Sequence, residues 1–160
     1  MKGFPMASST PKIELSFLCR VMIDAGAPIV VGPCMRGTRR VIPIVGGTVE
    51  GKLNGRVLSA GADFQTVFSN DVTELHARYV LELDNGDLVY VENTGFRYGA
   101  VDAIAALNRG EDVDPELIYF RTAPRFETNA SEYLHLNQRI LVASGVRRPE
   151  RVELTVFEVL

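Results

Sequence analysis

Strict alternation of apolar and polar residues is the feature that most constrains the fold of this chain. Residues 13–23 place an apolar side chain at every second position, and residues 72–83 repeat the pattern. The segment Asp84-Asn85-Gly86-Asp87 then separates the second run from another apolar stretch, Leu-Val-Tyr-Val. Because an Asn-Gly pair readily adopts the positive φ angles of a two-residue hairpin turn, this region predicts two paired antiparallel strands.

Shorter runs of the same kind extend this pattern along the chain. Only residues 100–108 favour a helix, which Gly110 would end, and residues 132–138 favour one helical turn. Roughly eight to eleven strands with short turns therefore predict an all-β fold, a closed or nearly closed antiparallel β-barrel with one short helix. The further predicted strands lie at 39–45, 47–52, 55–59, 63–69, 117–122, 139–143 and 151–159.

Length and charge limit the possible classes of protein. A chain of 160 residues, 46% hydrophobic and 23% charged, predicts a flexible tail over residues 1–12 and one folded domain over residues 13–160. A formal net charge of −3 argues against a nucleic-acid partner. The one basic cluster, Arg36, Arg39 and Arg40, favours a solvated turn over an anion site. Without a signal peptide or an apolar run of about 20 residues, we expect a cytoplasmic location and no membrane partner.

The sequence offers little support for a metal or a cofactor. Its two histidines, His76 and His135, have no second ligand at a zinc spacing. Nucleotide-binding glycine motifs and a serine nucleophile elbow are absent from the sequence. Cys19 and Cys34 stand among apolar residues, which favours free buried thiols over a disulfide. We therefore expect no metal site and no cofactor.

Five phrases occur in an order that resembles a known family. They are IPIVGGTVEGKLNGRVLSAGADFQ, LHARYVLELDNGDLVYVENTGFR, DPELIYFRTAPRFET, YLHLNQRILVASGVR and VELTVFEV. Together they resemble the domain of unknown function 3237 family, also called uncharacterised protein family 0311, over about residues 13–159. The resemblance implies a compact β-barrel. Barrels of similar build, calycin-like or allene-oxide-cyclase-like, bind or rearrange small hydrophobic molecules, which is an analogy between folds only.

Candidate binding residues stand in positions that match the family motifs. A lumen lined by aromatic and charged side chains would explain why residues 118–128 mix the two kinds. Arg78, Arg97 and Arg121 would hold an anionic group of the ligand. Tyr79 and Tyr119 would stack on the ligand or donate a hydrogen bond to it.

Three carboxyl groups are the candidate catalytic acids or bases. Asp63 and Gln65 point the same way in an extended strand, so they could serve as base and oxyanion donor; the alternative is a turn-capping Asp with an outward Gln. Glu92 lies in an apolar strand, which predicts a raised pKa unless it pairs with an arginine across the hairpin. Glu127 is the third candidate, with an ion pair to Arg121 as its alternative.

These residues predict a small-molecule-binding barrel. We expect a cofactor-independent isomerase, cyclase or lyase that uses acid-base chemistry on a partly apolar substrate bearing a carboxylate or carbonyl group. The alternative is a carrier or sensor that binds a small molecule without turnover. A third interpretation is a homodimer with the charged stretch at its interface.

Overall fold

The computed structural model of the protein describes residues 10–160, so most of the predicted N-terminal tail lies outside the described residues. These described residues form ten strands, one α-helix, α1 (Val101–Asn108), and two 3₁₀ segments, Pro115–Leu117 and Ser131–Gln138. The strands are β1 (Leu15–Ala25), β2 (Ile29–Cys34), β3 (Gly37–Gly51), β4 (Gly55–Val57), β5 (Gly61–Val67), β6 (Thr73–Leu83), β7 (Leu88–Gly99), β8 (Ile118–Thr128), β9 (Leu141–Arg147) and β10 (Arg151–Val159).

Eight of these strands close into an antiparallel barrel. Their order is β1-β10-β9-β8-β7-β6-β5-β3, and β1 completes the ring by pairing with both β10 and β3. The short β4 continues the position of β5 between β3 and β6, and β2 is an additional edge strand on β3. The prediction of an all-β, closed barrel with one short helix is confirmed.

Alternation decides which side chains enter the barrel. Along β6, every odd-numbered residue from Thr73 to Leu83 is buried, while the even-numbered ones are partly or fully exposed. The same period holds in β8, where Phe120 and Phe126 are buried. One half of the barrel is consequently a solid apolar core. Its members include Leu18, Val21, Val49, Leu53, Leu81, Val89, Val91, Phe126, Leu136, Leu141 and Val156.

The two ends of the barrel differ. At the closed end, the 3₁₀ segment Ser131–Gln138 follows β8 and inserts Leu136 into the core. At the opposite end, which we call the open end, α1 follows β7 and buries only Ala103. No helix within residues 10–160 is long and apolar enough to cross a membrane.

A bend in β3 lets one long strand serve two neighbours. Its register with β1 shifts between Asp24 and Ala25, so that Val45 is an extra residue in β3. Gly47 follows with φ 139°, and a Cβ atom there would overlap the carbonyl oxygen of Met22. Glycine is therefore required at this bulge both by its backbone conformation and by the close approach of β1.

Two local expectations from the sequence are wrong. The segments 39–45 and 47–52, predicted as separate strands, are one strand because the Gly46-Gly47 bulge bends β3 without ending it. Cys34, predicted to be buried, is exposed because β2 lies outside the ring, whereas Cys19 is buried as expected. The edge strand β2 was not predicted at all, since Gly32 and Pro33 interrupt its apolar run.

We expect Gly47→Ala to lower the free energy of unfolding by about 1–3 kcal/mol, because the new Cβ adds strain at a positive φ and displaces β1. Thr48→Ala, at the exposed neighbouring position, should cost less than about 1 kcal/mol. Urea denaturation of the two variants checks this. Equal stability of the two variants would contradict the role given to the bulge.

Candidate functional site

A cavity of about 140 Å³ lies inside the open half of the barrel. Apolar side chains from β1, β3, β6, β8 and β10 form much of its wall, and Leu107 and Asn108 of α1 border it. The polar side chains at its wall come from β3, β5, β7, β8 and β9. They are Arg40, Asp63, Gln65, Asn93, Arg97, Thr122 and Arg147.

A chain of hydrogen bonds holds the single carboxyl group of the cavity. Arg40 Nε donates to Gln65 Oε1 over 2.6 Å, and Gln65 Nε2 donates to Asp63 Oδ2 over 2.7 Å. The Gln65 side chain is 4% exposed, so this arrangement is shielded from bulk water. Because both ends of the Gln65 amide are engaged, its orientation is fixed and it fixes the carboxyl group in turn.

The Asp63 side chain also accepts a backbone hydrogen bond at a point where β5 and β6 are not paired through their backbones. Strands β5 and β6 pair at Asp63↔Ala77 and again at Thr66↔Glu74. Between these pairs, the backbone N–H of His76 donates to Asp63 Oδ1 over 3.0 Å. Burial raises the pKa of Asp63, and this outweighs the opposite effects of the bonds from Gln65 and His76. A carboxyl group in such a setting is suited to taking and returning a proton.

Within residues 10–160, Arg97 is a buried cation that has no carboxylate partner at contact distance. Its residue is 7% exposed, and its guanidinium carbon lies 5.5 Å from the centroid of the Phe120 ring. Burial lowers the pKa of Arg97 to about 10, and repulsion from Arg40 and Arg147 adds to this while Asp63 opposes it. The group remains charged near neutral pH. An anion in the cavity would stabilise it.

Two further polar groups of the cavity wall are buried without a hydrogen-bond partner in the part of the chain that the structure describes. They are Asn93 Oδ1 and Thr122 Oγ1, on residues 4% and 7% exposed. Most buried polar atoms in folded proteins have a partner, and leaving one unpaired costs about 1–3 kcal/mol. Both atoms are thus available to a polar ligand.

Three of the predicted site residues, Asp63, Gln65 and Arg97, line the cavity. Glu92, by contrast, lies on the outer face of β7. Its Oε1 is 3.0 Å from His76 Nε2 and 3.9 Å from Arg78 Nη2. The hydrogen bond to His76 lowers the pKa of Glu92, so the expected raised pKa is wrong and the alternative of a cross-strand pair agrees with the geometry.

The predicted lumen position of Tyr119, Arg121 and Glu127 is also wrong. All three are exposed on the outer face of β8, because Phe120 and Phe126 take the inward positions. Tyr119 stacks on Tyr98 of β7 with ring centroids 4.7 Å apart. The guanidinium of Arg121 lies 5.5 Å from the Tyr119 ring centroid and donates a hydrogen bond to the carbonyl of Phe120.

The remaining predicted pair, Arg78 and Tyr79, lies outside the cavity as well. Arg78 is exposed on the outer face of β6, from which its guanidinium cannot reach the lumen. Tyr79 points inward but is 2% exposed in the solid half of the core, where burial raises the pKa of its hydroxyl. Neither residue borders the cavity.

Sequence reasoning missed five polar residues of the cavity wall: Arg40, Asn93, Asn108, Thr122 and Arg147. Arg40 belongs to the basic cluster predicted as a solvated turn, but it lies within β3 and pairs with Gln65 of β5. A signal for it existed, since Arg40 stands two residues before Ile42 and shares the face of Ile44. Asn93 likewise shares the face of Val89 and Val91.

Within residues 10–160, no group of three or more His, Cys, Asp or Glu side chains is arranged to hold a metal ion. The polar side chains of the cavity wall instead carry three guanidinium groups, three amides, one hydroxyl and one carboxyl group. Such a set favours an organic anion over a cation.

Comparison with known proteins gives the family. The model of the family described as protein of unknown function (DUF3237) matches residues 11–159. The chain belongs to this family. The resemblance noted in the sequence is therefore confirmed, and the DUF3237 fold can be compared directly with that of relatives.

Solved structures support the same architecture. The UPF0311 protein RPA1785 of Rhodopseudomonas palustris, a conserved protein of unknown function, is 45% identical, with 94% of this chain and 99% of that chain covered and a TM-score of 0.89. A β-barrel-like protein from Acinetobacter baumannii AYE is 38% identical, with 96% and 99% covered and a TM-score of 0.84. A more distant structure, described as an enzyme from Penicillium herquei, is 16% identical, with 95% and 98% covered and a TM-score of 0.70; it shows similarity of fold alone.

Some DUF3237 motif residues stabilise the barrel rather than the cavity. Asn137 Oδ1 accepts a hydrogen bond from the backbone N–H of Thr128, and its Nδ2 donates to the Thr128 carbonyl. The Thr128 hydroxyl donates to the carbonyl of Leu88. These bonds attach the 3₁₀ segment of the closed end to β8 and β7.

The raised pKa of Asp63 predicts a pH-dependent stability difference from Asp63→Asn. The folded-state pKa of Asp63 lies above the unfolded value, which is about 3.9. The contribution of this carboxyl group to stability is therefore fully present below the unfolded pKa and is lost as pH rises through the folded pKa. We expect the stability of the natural chain, relative to Asp63→Asn, to fall as pH rises from about 4 to about 8. Urea denaturation across this range checks it, with Asp84→Asn, in an exposed turn, as control. If the stability of the natural chain relative to Asp63→Asn instead rises with pH, the raised pKa of Asp63 is contradicted.

Proposed function

We propose that the protein binds a small, partly apolar organic anion in the cavity and that Asp63 exchanges a proton with it. The observation that carries this proposal is the set of unpaired, nine-tenths-buried polar groups on the cavity wall: Arg97, Asn93 Oδ1 and Thr122 Oγ1. Keeping such groups in an interior is costly unless a ligand or water pairs with them. The apolar wall beside them would contact the carbon skeleton of the ligand.

The chemistry that fits these groups is proton transfer at carbon next to a carbonyl group. Arg97 would hold the carboxylate of the substrate, and the Asp63 carboxyl group would remove and return the proton. Thr122 Oγ1 would donate a hydrogen bond to the carbonyl oxygen, and Asn93 Oδ1 would accept one from the hydroxyl of the enol form. Removal and return of this proton is the reaction of a cofactor-independent isomerase, and a cyclase or lyase would share its first step, the removal of the proton.

Covalent catalysis by cysteine has little support. Cys19 lies in the solid core, and burial raises the pKa of its thiol to about 12, so almost none of it is thiolate near neutral pH. Cys34 is exposed on the outer edge strand. We also propose a cytoplasmic location, supported by these two free thiols, since oxidising compartments favour disulfides.

Binding is tested with two arginine variants. We expect Arg97→Met to weaken binding of the anion roughly 10- to 100-fold, because it removes charged hydrogen bonds inside the cavity. Arg78→Met, which removes a guanidinium from the outer face, should bind as the natural chain does. Native mass spectrometry of the purified proteins, followed by calorimetric titration with the compound found, measures this. Equal loss in both variants would contradict a lumen site.

Proton transfer is tested by hydrogen–deuterium exchange. In D₂O, the protein should exchange the protons next to the carbonyl of an enolisable acid such as 2-oxovalerate, and NMR follows the loss of signal. Asp63→Asn should slow this exchange roughly 10²- to 10⁴-fold, as expected for loss of a general base. Glu92→Gln and Glu127→Gln, on the outer face, should not change it.

The same measurement separates catalysis from carriage. If the natural chain binds the acid and leaves its protons unexchanged, the non-catalytic carrier or sensor is the better description. If Asp63→Asn exchanges protons as fast as the natural chain, Asp63 is not the base. A homodimer contact through the outer face of β8 remains a separate proposal, supported by the exposed Tyr98–Tyr119 stack.

A further inference from the structure

The charges on the cavity wall are unbalanced. Three guanidinium groups, those of Arg40, Arg97 and Arg147, border the cavity, and Asp63 carries its one carboxyl group. Two positive charges are therefore in excess when Asp63 is ionised, and three when it is protonated. Burial lowers the pKa of Arg97 and of Arg147, and repulsion from Arg40 adds to this in both groups.

The three cations are carried by strands that are spread around the ring of the barrel. Arg40 belongs to β3, Arg97 to β7 and Arg147 to β9. Following the barrel from β3, the order β3-β5-β6-β7-β8-β9-β10-β1 places two strands between Arg40 and Arg97, one between Arg97 and Arg147, and two between Arg147 and Arg40. A compact anion could bind one of these guanidinium groups well. A ligand with acidic groups at two separate points could bind two of them.

The three guanidinium groups also differ in how many of their N–H donors are already hydrogen-bonded to neighbouring residues. Arg40 gives its Nε–H to Gln65 and keeps its terminal nitrogens. Arg147 Nη1 donates to the backbone carbonyl groups of Arg148 and Arg151. Arg97 makes no hydrogen bond to another side chain or carbonyl in the part of the chain that the structure covers. Each group thus retains N–H donors for a ligand, and Arg97 retains all five.

We propose that the ligand of the cavity is an organic dianion whose two acidic groups are separated by a short apolar skeleton, most simply a dicarboxylate. This inference rests on the proposed function and narrows its class of ligand. One acidic group bonds Arg97, in the deeper position, and the second bonds Arg147 or Arg40 near the open end. The cavity volume, about 140 Å³, is close to the volume of an engineered cavity of about 150 Å³ that binds benzene. The apolar skeleton of the ligand is therefore small.

The test compares three probes on the full chain by calorimetric titration: glutarate, its monomethyl ester and inorganic phosphate. The ester keeps the skeleton and removes one charge, and phosphate keeps the charge in a compact form. Glutarate should bind at least about tenfold more tightly than either, since one charged hydrogen-bonded contact corresponds to roughly 10- to 100-fold in affinity. Equal affinity of glutarate and its ester, or tighter binding of phosphate, overturns the assignment.

Variants of Arg147 and Arg40 locate the second contact. Arg147→Gln together with Arg40→Gln should remove the advantage of glutarate over the ester, while Arg147→Lys alone keeps most of it. Arg148→Gln is the matched control, because Arg148 pairs with Asp112 outside the cavity. Thermal unfolding of each variant shows whether it is folded. Loss of the advantage in Arg148→Gln, or its retention in the double variant, overturns the proposal.

The same data separate this proposal from the proposed function. If glutarate and its ester bind equally and Arg97→Met weakens both, the lumen anion site stands and only the dianion is wrong. If Arg97→Met changes the binding of none of the three probes, both proposals fail. If none of the probes binds to the natural chain, the dianion assignment also fails.

Discussion

Closure of the sheet by β1 is the constraint on which the rest of this structure depends. Because β1 pairs with β10 on one side and β3 on the other, the sheet encloses an interior. Every inward side chain must then pack against others, find a polar partner inside, or border the cavity. The glycine bulge in β3 serves this closure, since it lets one strand pair with β1 over one half and with β5 over the other.

The division of the barrel into a solid half and a hollow half follows from the size and polarity of the inward residues. Toward the closed end, leucine, valine and phenylalanine fill the interior. Toward the open end, the inward positions of β3, β5 and β7 carry Arg40, Gln65, Asn93 and Arg97. These polar side chains do not fill the interior as the branched apolar ones do, and the cavity lies beside them.

The sequence could predict the barrel but only part of the site, for a physical reason. Alternation over residues 72–83 identifies a buried face because one face is wholly apolar. In β8, both faces contain aromatic rings, so period two separates Tyr119 from Phe120 without showing which points inward. Arg40 was missed because three arginines within five residues are typical of a solvated segment, and only the pairing with β5 shows where its side chain goes.

Burial changes the pKa of Asp63 and of Arg97 in opposite directions, yet in both cases it favours the neutral form. An anion bound at Arg97 would stabilise the guanidinium charge, and the same negative charge would raise the pKa of Asp63 further. Binding and proton uptake by Asp63 are therefore coupled: the bound anion makes the Asp63 carboxylate a stronger base at the moment when a substrate proton is within reach. Among residues 10–160, Asp63 carries the only lumen carboxyl group, and binding of the anionic substrate thus strengthens this base.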